Sequence, residues 1–204
     1  MKRRIVFATG NENKMKEIRM ILADLGMEIV SMREAGVDEE IVEDGMSFEE
    51  NAEIKARAVS RVLVNDIVLA DDSGLEIDYL DKAPGIYSAR FAGEDTSYDI
   101  KNNHIIDLLA GVPDDQRTAR FVCVIACAFP DGRTITVRGV IEGRIGYEQK
   151  GENGFGYDPI FYLPEYGCTT AQLSPEQKNE VSHRGKALCA IKRKLKGKIG
   201  DDLL

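Results

Sequence analysis

Short apolar runs alternate with amphipathic stretches along this chain, a pattern typical of a mixed α/β domain. The first run, Ile5–Ala8, predicts a strand, and the polar residues 9–13 after it predict a loop. The next segment predicts a helix whose apolar face is formed by Met15, Ile18, Leu22 and Leu25. Gly26 is the expected C-terminal stop of that helix, and a short strand is predicted at residues 28–30.

A second helix is predicted after the polar, acidic loop at residues 33–46. Ser47 and Glu50 have the spacing of a capping box, in which each side chain accepts the other residue's backbone N–H. The buried face of this helix is formed by Phe48, Ala52, Ala56, Val59 and Leu63. The helix leads directly into the next apolar run.

The junction at residues 67–74 carries the most chemical information. Ile67–Ala70 predicts a buried strand, and Gly74 predicts a turn between the acidic pair and a further strand at residues 75–79. Asp71 and Asp72, adjacent at the end of a buried strand, repel each other and are costly to desolvate. A cation or a proton-transfer role would compensate that cost, whereas a solvated turn would avoid it, and the junction alone leaves both interpretations open. Because successive side chains of a strand point to opposite faces of the sheet, we expect the two carboxylates to lie on opposite faces.

The middle of the chain predicts a helix and a long hairpin. Thr96 or Ser97 caps the helix, and its expected inward face is formed by Ile100, Ile105, Leu108 and Leu109. Two apolar runs, residues 121–129 and 135–141, are separated by Pro130-Asp131-Gly132-Arg133, which predicts a β-hairpin.

The carboxyl-terminal part predicts two helices. Ser174, Pro175 and Gln177 have the positions of an N-cap, a proline at the first helical position and a capping glutamine. The buried face of the last helix is marked by Leu188, Ile191 and Leu195. Since no linker separates independent segments, we expect residues 1–204 to form one domain with two lobes.

Composition and charge narrow the class of protein. With 43% hydrophobic and 30% charged residues among 204, the chain resembles ordinary soluble globular proteins. The net charge of −8 argues against nucleic acid as a partner, but a few focused cations could still hold a small phosphorylated ligand. No apolar stretch reaches membrane-spanning length, so we expect a cytoplasmic protein. The four cysteines lack C-x-x-C spacing, which favours reduced, buried thiols over a zinc site or a disulfide framework.

Two segments of the amino-terminal half are candidate ligand sites. Thr9-Gly10-Asn11-Glu12-Asn13-Lys14 lies between a predicted strand and a predicted helix, where backbone N–H groups and the helix dipole attract anions. A lysine on an exposed first turn would give the same pattern. Glu43 could join Asp71 or Asp72 as the second carboxylate of a magnesium site, while a lysine in the position of Lys55 is more often a surface residue than a ligand.

Two further candidates lie near the carboxyl terminus. Residues 151–159 place three glycines around two aromatic residues, and Phe155 could stack on a flat ring there. The alternative is a strained hairpin tip. Lys178 and the adjacent pair His183 and Arg184 could contact the polar edge of a base or a phosphate.

Taken together and in this order, these segments resemble the inosine/xanthosine triphosphate pyrophosphatase family. The matching stretches are Ala8-Thr9-Gly10-Asn11 with Lys14, Glu43-Asp44-Gly45, Phe48-Glu49-Glu50-Asn51-Ala52 with Lys55, Ala70-Asp71-Asp72-Ser73-Gly74-Leu75, Pro84-Gly85-Ile86-Tyr87-Ser88-Ala89-Arg90, Phe155-Gly156-Tyr157-Asp158-Pro159, and Ser182-His183-Arg184-Gly185. The resemblance extends from residue 5 to about residue 195.

The resemblance implies a fold, a reaction and a set of roles. The implied fold is a two-lobed α/β structure around a long twisted mixed β-sheet, with the nucleotide in the cleft between the lobes. The resemblance also implies that the protein forms a homodimer. The implied reaction is Mg²⁺-dependent hydrolysis of ITP, dITP and XTP to the monophosphate and pyrophosphate. The residues implied to hold the triphosphate are Thr9, Gly10, Asn11, Glu12, Asn13, Lys14 and Lys55. Glu43 and Asp72 are the implied metal ligands, Asp72 is also the implied base, and Ser73 contacts the substrate beside them. The residues implied to hold the purine and ribose are Phe155, Gly156, Tyr157, Asp158, Lys178, His183 and Arg184.

Two other functions stay open from the sequence. A nucleotide-sensing module would keep the pocket without catalysis, although the intact Lys14, Glu43 and Asp72 argue against it. A related pyrophosphatase acting on dTTP, UTP or modified pyrimidines would use the same phosphate chemistry.

Overall fold

Strands alternate with helices in the computed structural model, which describes residues 4–202 and the side chains of residues 4–197. The strands are β1 Arg4–Phe7, β2 Glu28–Ser31, β3 Ile67–Ile77, β4 Thr118–Ala128, β5 Thr134–Ile145, β6 Phe161–Leu163 and β7 Cys168–Thr169. The α-helices are α1 Glu12–Leu22, α2 Phe48–Val62, α3 Tyr98–Leu108, α4 Pro175–Val181 and α5 His183–Asp202.

The strands form one seven-stranded sheet in the order β2-β1-β3-β4-β5-β6-β7. β1 is parallel to both β2 and β3, as expected when helices connect neighbouring strands. β5, β6 and β7 pair antiparallel. The predicted mixed sheet of an α/β fold is therefore confirmed.

The chain divides into two compact units. The first unit contains the residues up to Asp72, Cys123–Gly139 and the residues from Arg184 onward, and the second unit contains Ser73–Val122 and Val140–His183. Each unit has its own hydrophobic core.

The core of the first unit is built from β1, α1 and α5. Its members include Ile5, Phe7, Met15, Ile18, Leu22, Leu188, Ile191 and Leu195. The predicted apolar faces of α1 and α5 are thereby confirmed, except that Leu25 lies beyond the end of α1 and is only partly buried. Gly26 follows with φ 65°, a left-handed conformation that ends the helical segment and that glycine adopts at little cost.

The core of the second unit corrects the prediction for α3. Ile105 is buried as expected, but Ile100 and Leu108 are 58% and 44% exposed. Lys101 and Asn102 are buried instead, because Lys101 Nζ donates to the Ala89 carbonyl and Asn102 Nδ2 donates to another loop. Hydrogen bonds to loop backbone therefore decide which face of α3 points inward.

The strand β3 corrects a second prediction. It runs without interruption from Ile67 to Ile77, so Gly74 does not mark a turn and the separate strand predicted at residues 75–79 is its continuation. Asp71 and Asp72 are both buried inside this strand. Neighbouring cations, described below, compensate the two carboxylates and remove the need for a solvated turn.

The predicted helix caps are largely confirmed. The Ser97 side chain caps α3, and Ser174 and Gln177 form a complete capping box with Pro175 at the start of α4. At α2 only half of the predicted box forms: Ser47 accepts the Glu50 N–H, but the Glu50 carboxylate accepts the Met46 N–H instead. The predicted hairpin is formed by β4 and β5, which are neighbours in the sheet.

The cysteines only partly follow the prediction. Cys123 and Cys127 lie in the core of the first unit, whereas Cys168 is partly buried and Cys189 is exposed. Cys189 lies on the solvent side of α5, opposite the buried apolar face of that helix. Among residues 4–202, no helix has the length and apolar character that crossing a membrane requires.

Candidate functional site

The loop between β1 and α1 is shaped by its own polar side chains. Asn11 caps α1, with Oδ1 accepting the N–H groups of Asn13 at 3.0 Å and Lys14 at 3.1 Å. Thr9 Oγ1 accepts the Asn11 N–H at 3.2 Å. Gly10, Glu12 and Asn13 are exposed. The predicted anion loop therefore forms an ordered turn at the amino end of a helix, where the backbone dipoles favour negative charge.

This loop borders a cavity of about 200 Å³ in the first unit. The cavity walls bring together six of the residues singled out from the sequence: Thr9, Gly10, Lys14, Glu43, Lys55 and Asp71. With Glu39, two lysines and three carboxylates thus face one small polar space.

Asp71 is the fully buried anion of this group. Its Oδ2 lies 3.0 Å from Lys14 Nζ and 3.4 Å from Arg184 Nη2. Burial alone would raise the pKa of Asp71, but the charges of Lys14, Arg184 and Lys55 outweigh it and hold that pKa well below the usual range. Asp71 therefore stays ionised and holds Lys14 in place.

Arg184 completes the same network through a residue that the sequence did not single out. Its Nη1 donates to Glu17 Oε2 at 2.6 Å, and its side chain is 4% exposed. Burial lowers the pKa of Arg184, but the anions Asp71 and Glu17 raise it above its ordinary value. Glu17 lies three residues after Lys14, on the same face of α1, and that spacing was the available signal. The structure places Arg184 with Lys14 and Asp71.

Glu43 and Asp72 converge on one cation. Lys55 Nζ lies 2.8 Å from Glu43 Oε2 and 3.5 Å from Asp72 Oδ1. Burial raises the pKa of Asp72, Lys55 opposes that shift, and the charges of Glu43 and Asp71 add to it. Two carboxylates that meet at one cation position are the donor set that Mg²⁺ uses, so these residues fit a divalent cation. Ser73 follows Asp72 on β3 and is partly buried.

A second cluster lies in the second unit, around Asp158. Its Oδ2 accepts the Phe155 N–H at 2.8 Å and Lys178 Nζ at 2.6 Å, while Oδ1 accepts Thr170 Oγ1 at 2.8 Å. Lys178 Nζ lies 4.8 Å from the centre of the Phe155 ring. Gly154 has φ 74°, a left-handed conformation that suits glycine. The structure thus brings together Phe155, Asp158 and Lys178, three of the residues named by the family resemblance, and adds Thr170, which sequence reasoning missed.

The rest of that loop is held by its surroundings. Tyr157 is buried, and its hydroxyl donates to the Ser88 carbonyl at 2.7 Å. Burial raises the pKa of Tyr157 above its ordinary value. Asn102 Nδ2 donates to the Gly156 carbonyl at 3.1 Å. The loop therefore presents Phe155 from a backbone that is fixed on both sides.

His183 belongs to the second unit. Its ring stacks on Phe121, with 4.8 Å between the ring centres and 23° between the planes. The side chain is 6% exposed. The adjacent Arg184 instead pairs with Asp71 and Glu17, as described above.

Comparison with known proteins gives one consistent family. The sequence model of the Ham1 family matches residues 5–194. The dITP/XTP pyrophosphatase of Exiguobacterium sibiricum is 47% identical, covering 97% of this chain and 100% of its own. The dITP/XTP pyrophosphatase of Desulforamulus reducens is 52% identical, covering 91% and 92%. Among solved structures, the Staphylococcus aureus Ham1 protein is similar with a TM-score of 0.86 and 41% identity, covering 96% of this chain and 100% of that one.

Proposed function

The chain belongs to the Ham1 family, and from that premise we propose that it hydrolyses non-canonical purine nucleoside triphosphates to the monophosphate and pyrophosphate. ITP, dITP and XTP are the proposed substrates. One observation carries the proposal: the carboxylates of Glu43 and Asp72 meet at a single cation position, beside a cavity lined by Lys14. Opposed cations and carboxylates in one small space suit a phosphate ligand with a divalent metal.

Glu43 and Asp72 are the proposed ligands of Mg²⁺. When bound, Mg²⁺ polarises a phosphoryl oxygen and lowers the pKa of a coordinated water. The Asp72 carboxylate is the proposed acceptor of the proton of the attacking water. Lys14, Lys55 and the turn at residues 9–13 counter the charge of the triphosphate, and Ser73 contacts the substrate beside Asp72. Asp71 holds Lys14 in position.

The base-binding residues are proposed in the second unit. Phe155 stacks on the purine, with the backbone of residues 154–157 fixed by Asp158 and with Lys178 beside the ring. Hypoxanthine and xanthine carry a 6-oxo acceptor where adenine carries a 6-amino donor. A backbone N–H, His183 or Arg184 would donate to that oxygen and leave an amino group unpaired, a distinction worth up to ~10⁴-fold.

The remaining proposals concern partners and location. We expect a homodimer in the cytoplasm, as the family resemblance implies. A net charge of −8 disfavours nucleic acid as a partner.

Product analysis tests the proposed reaction. The protein is incubated with ITP and MgCl₂, the products are separated by ion-exchange chromatography, and ATP, GTP, dTTP and UTP serve as controls. We expect IMP and pyrophosphate, with EDTA abolishing turnover and the canonical triphosphates turned over far more slowly. Release of IDP and orthophosphate would overturn the proposal. Tight ITP binding without turnover would indicate a sensing module, and comparable kcat/KM for dTTP or UTP would indicate a pyrimidine enzyme.

A further inference from the structure

Asn51 is a buried polar residue that none of the roles above uses. It lies at the end of the first turn of α2 and is 0% exposed, among apolar residues of the same helix. Within residues 4–202, its Nδ2 has no hydrogen-bond partner. Asparagine is a poorer helix former than leucine, and a buried amide with an unpaired donor costs stability. Stability alone would therefore favour an apolar side chain at this position.

The amide oxygen of Asn51 holds the loop that precedes the helix. Its Oδ1 accepts the Gly45 N–H at 2.9 Å. A Cβ built on Gly45 would lie 2.7 Å from that oxygen and 2.8 Å from Glu50 Cβ, so the loop approaches the helix more closely than any other residue would allow. The loop backbone is thus fixed two residues after Glu43.

Glu43 is held at a second point by the same helix. Lys55 lies four residues after Asn51, on the same face of α2, and its Nζ contacts the Glu43 carboxylate at 2.8 Å. A divalent cation and Lys55 would compete for that carboxylate. The bond from Asn51 acts on the backbone instead, so it fixes the loop while the carboxylate is free to ligate a metal.

We infer that Asn51 is a positioning residue that holds Glu43 where its carboxylate and that of Asp72 can ligate one divalent cation. The inference rests on the proposed metal site. Groups that orient metal ligands typically change metal affinity by 10- to 100-fold when they are removed. An asparagine with only a structural role would change thermal stability and leave metal affinity unchanged.

Mn²⁺ binding to the nucleotide-free protein tests this role without relying on activity. Free Mn²⁺ is measured by electron paramagnetic resonance during a titration, and folding is checked by circular dichroism. Asn51→Leu removes the acceptor at nearly constant size, and we expect its Mn²⁺ dissociation constant to rise by roughly 10- to 100-fold. Gly45→Ala pushes the loop away from the same oxygen and should give the same result. It also keeps the test decisive if Asn51→Leu does not fold.

Asn102→Leu is the matched control. Asn102 is equally buried, on α3, and its amide holds the Gly156 carbonyl, so the variant should bind Mn²⁺ like the wild type. Asp72→Asn tests the proposed metal site itself, which is wrong if that variant keeps wild-type Mn²⁺ affinity. If Asp72→Asn loses Mn²⁺ while folded Asn51→Leu or Gly45→Ala keeps wild-type affinity, the metal site stands and the positioning role is wrong.

Discussion

At the scale of single residues, Asp71 and Asp72 are neighbours on β3 whose ionisation is pushed in opposite directions. Lys14 and Arg184 contact Asp71 and keep it charged, whereas Asp72 shares one lysine with Glu43 and has a raised pKa. Two adjacent carboxylates with separated pKa values are a frequent basis for dividing roles in an active site. The 3.0 Å contact makes Asp71 the support of Lys14, and proton transfer is the role proposed for Asp72.

The role of Asp72 predicts the effect of Asp72→Asn. The amide keeps the size of the side chain but cannot accept a proton or ligate the metal as an anion, so kcat for ITP should fall by about 10²- to 10⁴-fold. Because burial and nearby anions raise the pKa of Asp72 in the folded protein, removing its charge should not lower the free energy of unfolding without metal. Steady-state kinetics and urea unfolding check the two expectations. A kcat near that of the wild type would remove Asp72 from the mechanism.

Asp71→Asn should behave in the opposite way. The change leaves Lys14 and Arg184 without their buried anion, and breaking a buried ion pair costs on the order of 3 kcal/mol. Since the pKa of Asp71 in the folded protein lies below the unfolded value of about 3.9, its charge stabilises the fold above about pH 4. That contribution is lost as the pH falls below 4, so the difference between variant and wild type should shrink in acid. Urea unfolding at a series of pH values measures it.

Asp131→Asn provides the control for that series. Asp131 pairs with Arg133 in the exposed hairpin turn, and surface pairs contribute at most about 1 kcal/mol. Equal losses in Asp71→Asn and Asp131→Asn would show that burial of the Asp71 pairs does not matter.

Single-residue chemistry was only partly predictable from sequence. Residue types alone indicated an anion site at positions 9–14 and a cation site formed by acidic residues at positions 43 and 71–72, near Lys55. The alternation of side chains along a strand predicted that the two aspartates point to opposite faces of the sheet. The contact between Arg184 and Asp71 was not predictable, because it spans 113 positions of sequence. No local pattern encodes a contact at that separation.

At the scale of elements, the amphipathic pattern predicted the buried face of a helix correctly where apolar packing determines that face. It was less reliable where hydrogen bonds and ion pairs of polar side chains determine which residues are buried. The faces of α1 and α5 follow the pattern because they pack on the core of the first unit. The pattern is only half right for α3: Ile105 and Leu109 are buried as predicted, but Lys101 and Asn102, which bond to loop carbonyls, are buried in place of Ile100 and Leu108. β3 continues past Gly74 for a related reason, since cations stabilise the acidic residues that would otherwise end a buried strand.

The loop at residues 154–158 gives a prediction at this scale. In Gly154→Ala the new Cβ would lie 2.2 Å from Asp158 Oδ2, so the carboxylate must leave the Phe155 N–H and Lys178. We expect the KM for ITP to rise by up to about 100-fold, because the stacking residue is displaced. Steady-state kinetics with ITP measures the change.

Gly167→Ala is the matched control for strain. Gly167 has φ 63°, close to the 74° of Gly154, but a Cβ there would have no atom within 4 Å. Both variants carry the left-handed penalty of about 1–2 kcal/mol, and only Gly154→Ala carries the collision. If the two variants had the same KM, the Asp158 contact would not position the loop.

At the scale of the whole molecule, local patterns predicted the elements but not their assembly. The amino-terminal strand–helix–strand unit and the β4–β5 hairpin were predictable, because each is formed by segments that are close together in the sequence. The order β2-β1-β3-β4-β5-β6-β7 pairs strands far apart in the chain, and it follows from family resemblance rather than from periodicity. The boundaries between the two units were likewise not predictable, because they fall inside β3, β4 and β5 and after the first residue of α5 rather than in linkers.

These shared strands predict that the two units unfold together. Neither unit can unfold without breaking strands that continue into the other, which favours a single cooperative transition. The chain has no tryptophan, and all seven of its tyrosines lie in the second unit, so tyrosine fluorescence reports on that unit alone. Far-UV circular dichroism is dominated by α1, α2 and α5 of the first unit. We expect the urea midpoints measured by tyrosine fluorescence and by circular dichroism to coincide. Asp71→Asn, in the first unit, should lower the two midpoints by the same amount. A tyrosine transition separated from the circular dichroism transition, or left unshifted in Asp71→Asn, would show that the units unfold independently.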